Sequence, residues 1–231
     1  MNIMRQTLAY FIFFNALLAI HSKNYRQAIL LIILGFSFHK TIVVPLLLIP
    51  LLKYDWFKNR NIQYILLISF TAFKGFILSF FLSSISPIIT LLGYNYYVDN
   101  LDSMYEITAE NAVGAGFGIY LLLLLDVVII YFSKNMKLRF GGYKFYQFYN
   151  LYFLGMLLDN LFRDNFILSR SNDYLLNFRV LILSFLACYL LKAKLKYHYG
   201  HILLAVITLS MIAYFFRGIE NSAAKCSPIQ F

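Results

Sequence analysis

Charge is scarce in this chain, and acid scarcest of all. Only 13% of the 231 residues are charged, ten Asp or Glu against twenty Lys or Arg, while 61% are hydrophobic and 19% aromatic. A soluble domain carries roughly a quarter charged residues and about half apolar ones, so no soluble domain fits. Cysteine is equally sparse. Cys188 lies in an apolar run and Cys226 in a polar tail, and their different depths argue against a disulfide; such cysteines behave as small apolar residues. No Cys/His cluster has zinc spacing and no Ser/His/Asp signature appears, so no metal and no cofactor is expected. Gly114, Gly116 and Gly118 follow no strand, which removes a phosphate-loop reading and leaves small residues opening a membrane helix. The net charge of +10 does not imply nucleic acid, because the basic residues sit in short loops between apolar runs rather than on one soluble face.

What fills the sequence instead is hydrocarbon. The apolar runs are continuous rather than alternating, and in lipid the backbone must satisfy its own hydrogen bonds, so helices are predicted. The expected fold is all-α: a polytopic transmembrane helical bundle, one domain over 1–231, with about seven or eight hydrophobic segments. They fall near 7–21, 27–38, 41–52, 62–82, 116–133, 147–163, 174–191 and 202–216. The one long connection, about 83–113, is acidic: it contains Asp99, Asp102, Glu106 and Glu110 and no Lys or Arg. Connections of this length often serve as lids or binding loops.

Loop charge orients the bundle. Lys53, Lys58 and Arg60, then Lys134, Lys137, Arg139 and Lys144, then Lys192, Lys194 and Lys196 are separated by pairs of crossings. These loops share a side, which the positive-inside rule makes cytoplasmic, and the acidic loop falls outside. Tyr143, Phe145, Tyr146, Phe148 and Tyr149 read as an aromatic belt at the inner interface. The first fifty residues admit two readings. One crossing over 27–52 turns Lys23 and Arg26 outward, against the rule. Two short helices broken near His39 keep them inside and put His39 and Arg5 outside, and this reading is preferred.

Ionisable groups at the edge of hydrocarbon need a reason. Arg5, His39, Lys40, Arg163, Asp164, Arg170, Asp173 and Arg179 all fall at the outer side of this topology. Converging guanidinium groups suit an anionic ligand, because the planar fork grips phosphate oxygens in pairs and stays charged. A histidine beside them can act as base or as hydrogen-bond donor. The plainer reading is that these arginines snorkel or pair with Asp159, Asp164 and Asp173. Asp159 and Arg163 stand four apart on one helix face, so an intrahelical pair is the default. Lys74 and Asp126, near the middle of their segments, suggest a buried structural pair or an ion relay. His21, His198 and His201 read as ordinary interfacial histidines.

One pattern is more specific. Arg5-Gln6 opens an apolar helix, and a second apolar segment ends in Phe38-His39-Lys40-Thr41. This resembles the EpsG-type branch of bacterial surface-polysaccharide polymerases, related to the O-antigen (Wzy-like) polymerases. The acidic outer loop, the helix at 147–163 and Arg179 just before an apolar run are similar in order. Family members usually carry further helices before the Arg-Gln pair, so an N-terminally truncated chain is expected. The resemblance implies a multi-pass protein of the bacterial cytoplasmic membrane, active on its extracytoplasmic face, that polymerises polyprenyl-diphosphate-linked repeat units without metal. Its implied partners are that lipid-linked glycan, the bilayer, and flippase and chain-length regulator proteins. On this basis His39, Arg5 and Arg179 are catalytic candidates. Arg163, Arg170, Gln6, Lys40, Tyr96 and Tyr97 are substrate-binding candidates. A flippase of lipid-linked sugars, a glycan O-acyltransferase and a non-catalytic membrane subunit are the alternatives.

Overall fold

In the computed structural model the described residues are 2–39, 42, 52–91, 117–163, 166–192 and 199–225. Helices dominate them, and no strand occurs among them. Lys40, Tyr96 and Tyr97, with residues 92–116 of the expected acidic connection, lie outside the described residues.

Helix α1 spans Asn2–His21 and α2 spans Tyr25–Phe38. Between them Lys23 takes a left-handed turn conformation at φ 61°, and the Asn24 side chain caps α2 by accepting from the Gln27 N–H at 3.3 Å. The two helices form an antiparallel hairpin that closes tightly at Gly35. A Cβ there would collide with the Ile42 side chain and press on Ile12 Cγ2 at 3.2 Å. The break expected near His39 is present: α2 stops at Phe38 and His39 is extended, at φ −152° and ψ 114°. The run Thr41-Ile42-Val43-Val44-Pro45 that follows is β-branched and ends in proline, a poor continuation for a helix.

The segment expected as one crossing over 62–82 is instead two helices, α3 (Arg60–Ala72) and α4 (Lys74–Leu91), bent by 88° at Phe73. Thr71 Oγ1 bonds back to the Leu67 carbonyl at 2.8 Å, and Gly75 follows two residues after the bend. Back-bonding hydroxyls and glycine are recognised causes of kinks. Lys74 therefore opens α4 at the bend. Helix α4 also runs eight residues past the point where the acidic connection was expected to begin.

Beyond lie α5 (Phe117–Phe140), a 3-10 turn (Gly141–Tyr143), α6 (Phe145–Phe162), α7 (Phe166–Leu176), α8 (Phe178–Lys192) and α9 (Tyr199–Lys225). Helix α5 carries Lys134, Lys137 and Arg139 in its last turns, where cations complement the carbonyl end of the dipole. The loop expected over 134–146 shrinks to the short turn that follows. Two helices, Gly118–Tyr143 and Asn172–Lys192, are long and apolar enough to cross a membrane, and a third span results if the bent α3–α4 pair counts as one. Tyr25–Phe38 and Tyr199–Ala213 are apolar but shorter. Seven or eight full-length spans are not found among the described residues.

The chain divides into two compact units. In the second, Ala112–Phe145 with Val180–Phe231, Ile129, Ile130 and Met136 of α5 are fully buried. Phe140, Phe145 and Phe185 stack around one another with centroids 5.1–6.3 Å apart. An apolar groove of about 650 Å³ runs between α8 and α9, lined by Val180, Ser184, Ala187, Thr208, Met211 and Phe215 among others. The outward faces of this unit stay apolar: Leu124 is 63% exposed and Leu209 66%. Exposed apolar surface on this scale belongs in lipid.

The first unit, Met1–Asn111 with Tyr146–Arg179, holds α1–α4, α6 and α7. Leu78 of α4 packs with Leu161 and Phe162 of α6. Helices α6 and α7 meet at Gly155, where a Cβ would stand 2.7 Å from Leu175 Cβ and 2.8 Å from the Leu175 carbonyl carbon. Backbone cannot yield there as a side-chain tip can. Gly155→Ala should therefore cost about 1–3 kcal/mol and lower the melting temperature of the detergent-purified protein. Gly75→Ala, whose Cβ would meet nothing within 4 Å, should leave melting unchanged or raise it slightly. Equal melting of both variants would count against the close α6–α7 approach.

Candidate functional site

The first unit has two chemically different ends. Helix α1 ends where α6 begins, at the contact of His21 with Gln147 (Nδ1 to Oε1, 3.0 Å) and its 6.4 Å stacking on Phe148, and α7 links Gly155 of α6 to Tyr10 and Phe13 of α1, so the two helices run antiparallel. At this end a polar network pins the segment 52–57 to α6. Gln147 Nε2 donates to the Leu52 carbonyl at 2.9 Å and Asn150 Nδ2 to the Tyr54 carbonyl at 2.6 Å. Tyr149 donates to Gln63 Oε1 at 2.5 Å, and Gln63 Nε2 donates to the Phe57 carbonyl at 2.6 Å. Lys23, Arg26, Lys53, Lys58 and Arg60 consequently gather at one end of the unit. The aromatic belt expected beside them is only partly a belt. Tyr143 is 70% exposed, but Phe145 and Tyr149 are fully buried, Phe145 against Phe140 and Phe185 and Tyr149 against Gln63.

At the opposite end α1 begins, and its Arg5-Gln6 pair divides. Successive residues of a helix diverge by about 100°. Arg5 shares a stripe with Ala9, Ile12, Ala16 and Ala19, the face that α2 covers at Gly35; Arg5 itself is exposed at the end of that stripe. His39 lies one turn beyond Gly35, so the antiparallel register brings it level with Leu8, about 4.5 Å along the axis from Arg5. Gln6 heads a different stripe, with Tyr10, Phe13 and Leu17, all buried or half-buried. This stripe faces α7.

There Gln6 Nε2 reaches Asp173 Oδ2 at 3.4 Å, Tyr10 donates to the same oxygen at 3.1 Å, and Gln6 Nε2 also bonds the Tyr10 hydroxyl. Below them Tyr174, 2% exposed, meets Tyr10 edge-on at 4.3 Å and Phe13 at 5.9 Å. On another side of α7, Asn172 Nδ2 donates to the Gly155 carbonyl at 2.8 Å. Three consecutive residues thus fix α7 against α1 and α6.

The remaining expected residues take unequal positions. Arg163 closes α6 and forms the expected pair with Asp159 at 2.8 Å, with a weaker contact to Asn160 Oδ1 at 3.5 Å. By the same antiparallel register it stands near the level where α1 begins. Arg170 belongs to α7, three residues before Asp173. Arg179 is the second residue of α8 and only 8% exposed. Its neighbour Phe178 packs on Phe14 at 6.1 Å and Phe148 at 6.2 Å, so Arg179 lies deeper, towards the middle of α1. The structure thus brings Arg5, Gln6, His39 and Arg163 to one end of the unit and sets Arg179 beneath.

Sequence reasoning missed Tyr10 altogether and gave Asp173 no role beyond pairing with arginine. The available signal was the stripe Gln6, Tyr10, Phe13 and Leu17, whose two polar members open an otherwise apolar face. Chemically, the end offers guanidinium groups for an anion, an imidazole, and a carboxylate held by a carboxamide and a phenol. Among the described residues no three His, Cys, Asp or Glu side chains form a set able to hold a metal ion.

Comparison with known proteins agrees with this architecture at the level of family. The EpsG family model matches residues 1–231, while no curated protein and no solved structure matches the chain. A match over the whole length, on a helical apolar chain, makes this protein a member of the EpsG family, a polysaccharide polymerase-like family, and a membrane protein of polysaccharide biosynthesis.

Proposed function

We infer that this protein polymerises polyprenyl-diphosphate-linked oligosaccharide repeat units on the extracytoplasmic face of the bacterial cytoplasmic membrane, building a surface polysaccharide. What supports this reading is the helix register that puts Arg5, Gln6, His39 and Arg163 towards the end of the unit opposite Lys23, Arg26, Lys53, Lys58 and Arg60. Cationic loops mark the cytoplasmic side, which assigns the arginine- and histidine-bearing helix ends to the other face, where lipid-linked repeats would be joined.

In the transfer, a hydroxyl of one lipid-linked repeat attacks the anomeric carbon of the growing glycan. The bond from that carbon to the diphosphate breaks, and polyprenyl diphosphate leaves with the electron pair. Negative charge grows on the departing phosphate, and fixed cations aimed at that charge lower the barrier. Arg5, Arg163, Arg170 and Arg179 fill this role, with Lys40 as a further candidate cation. His39 serves the acceptor hydroxyl, either as hydrogen-bond partner or as base. Tyr96 and Tyr97, in the acidic connection, offer aromatic faces to the sugar rings.

A strain lacking the gene should accumulate single lipid-linked repeats on the outer leaflet. Repeats trapped on the inner leaflet would indicate a flippase, and full-length polymer lacking acyl groups an acyltransferase. Arg179→Ala and His39→Ala should each reduce chain extension by about 10²-fold or more at unchanged membrane abundance. Arg179→Lys should not restore it, because a lysine cannot reproduce the planar fork. Normal extension in both alanine variants would refute the site. For orientation, a cysteine at Met4, which is 82% exposed, should react with an impermeant thiol reagent in intact cells, and one at Lys58 only after permeabilisation. Labelling of both from the same side would overturn the assignment of faces.

A further inference from the structure

The carboxylate of Asp173 is built into the site from two helices, and the reading above gives it no task. Gln6 and Tyr10, four residues apart on one face of α1, both direct a polar hydrogen-bonding group at Asp173 Oδ2, at 3.4 Å and 3.1 Å. The residues on either side of Asp173 are occupied structurally: Asn172 holds the Gly155 carbonyl and Tyr174 fills the core against Tyr10 and Phe13. Asp173 itself is half-buried, and so is Tyr10, which leaves the cluster at the rim of the packed unit rather than sealed within it. An acceptor for a carboxamide and a phenol could as well be a neutral amide, whereas a carboxylate also brings a charge and the capacity to take a proton.

We propose that Asp173 is the group that takes the proton of the acceptor hydroxyl, and that Gln6 and Tyr10 are positioning residues that aim it. The proposal rests on the polymerase reading and divides its labour: the imidazole of His39 then hydrogen-bonds the acceptor, while the carboxylate removes its proton. The acceptor oxygen forms the new bond to the anomeric carbon, its hydrogen passes to Asp173, and the bond to the diphosphate breaks. Polyprenyl diphosphate departs with the electron pair, and the proton is later released to water. It also gives Gln6 a different role from direct contact with substrate. Of the Arg5-Gln6 pair, the arginine looks towards α2 and His39 and the glutamine towards α7 and Asp173, so one dipeptide serves two neighbouring helices.

The experiment is chain extension in membranes supplied with a defined lipid-linked repeat unit, measured as turnover and as apparent KM. Asp173→Asn is the decisive variant, because the amide oxygen still accepts from Gln6 and Tyr10 while basicity is lost. Turnover should fall by about 10²–10⁴-fold with KM little changed and the protein still present in the membrane. Tyr10→Phe and Gln6→Ala should each lower turnover by about tenfold, the equivalent of one hydrogen bond. Neither should lower it further in the Asp173→Asn background, since residues acting through a common group are not additive. Asp173→Ala gives a second measurement: added formate should restore part of its turnover by supplying a carboxylate. Wild-type turnover in Asp173→Asn, losses that multiply in the double variants, or no response to formate would each assign Asp173 a structural role and overturn the proposal. Wild-type membranes that fail to extend the repeat unit at all would instead sink the polymerase reading, and this inference with it.

Discussion

The bonds from Gln6 and Tyr10 to Asp173 join the first helix to a segment more than 160 residues away, and the geometry of the site depends on them. Where water is scarce, a carboxylate, a carboxamide and a phenol each find partners in the protein or incur a desolvation cost. Here they satisfy one another, and in doing so they fix the rotation of α1 about its own axis. Once Gln6 faces α7, the 100° step of the helix directs Arg5 towards α2. The glycine at position 35 lets α2 approach closely enough for His39 to come within a turn of that arginine. A rotation of α1 by one residue would bury the arginine and release Asp173.

The opposite end is organised by a different principle. Gln63, Gln147, Asn150 and Tyr149 capture backbone carbonyls of the chain between Leu52 and Phe57, which has no regular ladder to satisfy them. Lys53 of that segment, and Lys58 and Arg60 just after it, are exposed. Cations borne by an exposed loop resist passage through hydrocarbon and hold their side. Arg179, by contrast, is enclosed in the helical body, where a guanidinium is costly and normally functional. The two groups of cations carry the same charge but meet different surroundings. On the proposed function, loop position serves orientation and helix position a charge kept for the ligand.

What the sequence made legible was whatever local physics decides. Continuous apolar runs specified helices, the placement of Lys23 and Arg26 under the positive-inside rule favoured the break near His39, and the four-residue spacing of Asp159 and Arg163 specified their pair. Three features were hidden for identifiable reasons. The bend at Phe73 has no proline to announce it, only a back-bonding threonine and a glycine inside an otherwise apolar run. Phe145 and Tyr149 have the composition of an interfacial belt, and only tertiary packing distinguishes a belt aromatic from a core one. Asp173 stands beside arginines in sequence and meets Gln6 and Tyr10 only through the fold, so its neighbours in the chain gave no sign of these two partners.

On the proposed function, the three site arginines whose surroundings are described, Arg5, Arg163 and Arg179, differ in how readily each could reach an arriving diphosphate. Arg5 is exposed at a helix end, where a long side chain can reach a headgroup without disturbing packing. Arg163 already holds a carboxylate, but partly exposed pairs of this spacing contribute only about 0.3–0.5 kcal/mol. A diphosphate, with more charge and more acceptor oxygens than one carboxylate, displaces such a partner readily. Arg179 has little freedom to move, being enclosed beside Phe178 and its aromatic neighbours. A fixed cation contributes most where charge develops during reaction, because it needs no reorganisation at that moment. On the proposed polymerase function, the order of mobility divides the roles: Arg5 and Arg163 would capture the lipid-linked substrate, and Arg179 would stabilise the leaving diphosphate as the glycosidic bond forms.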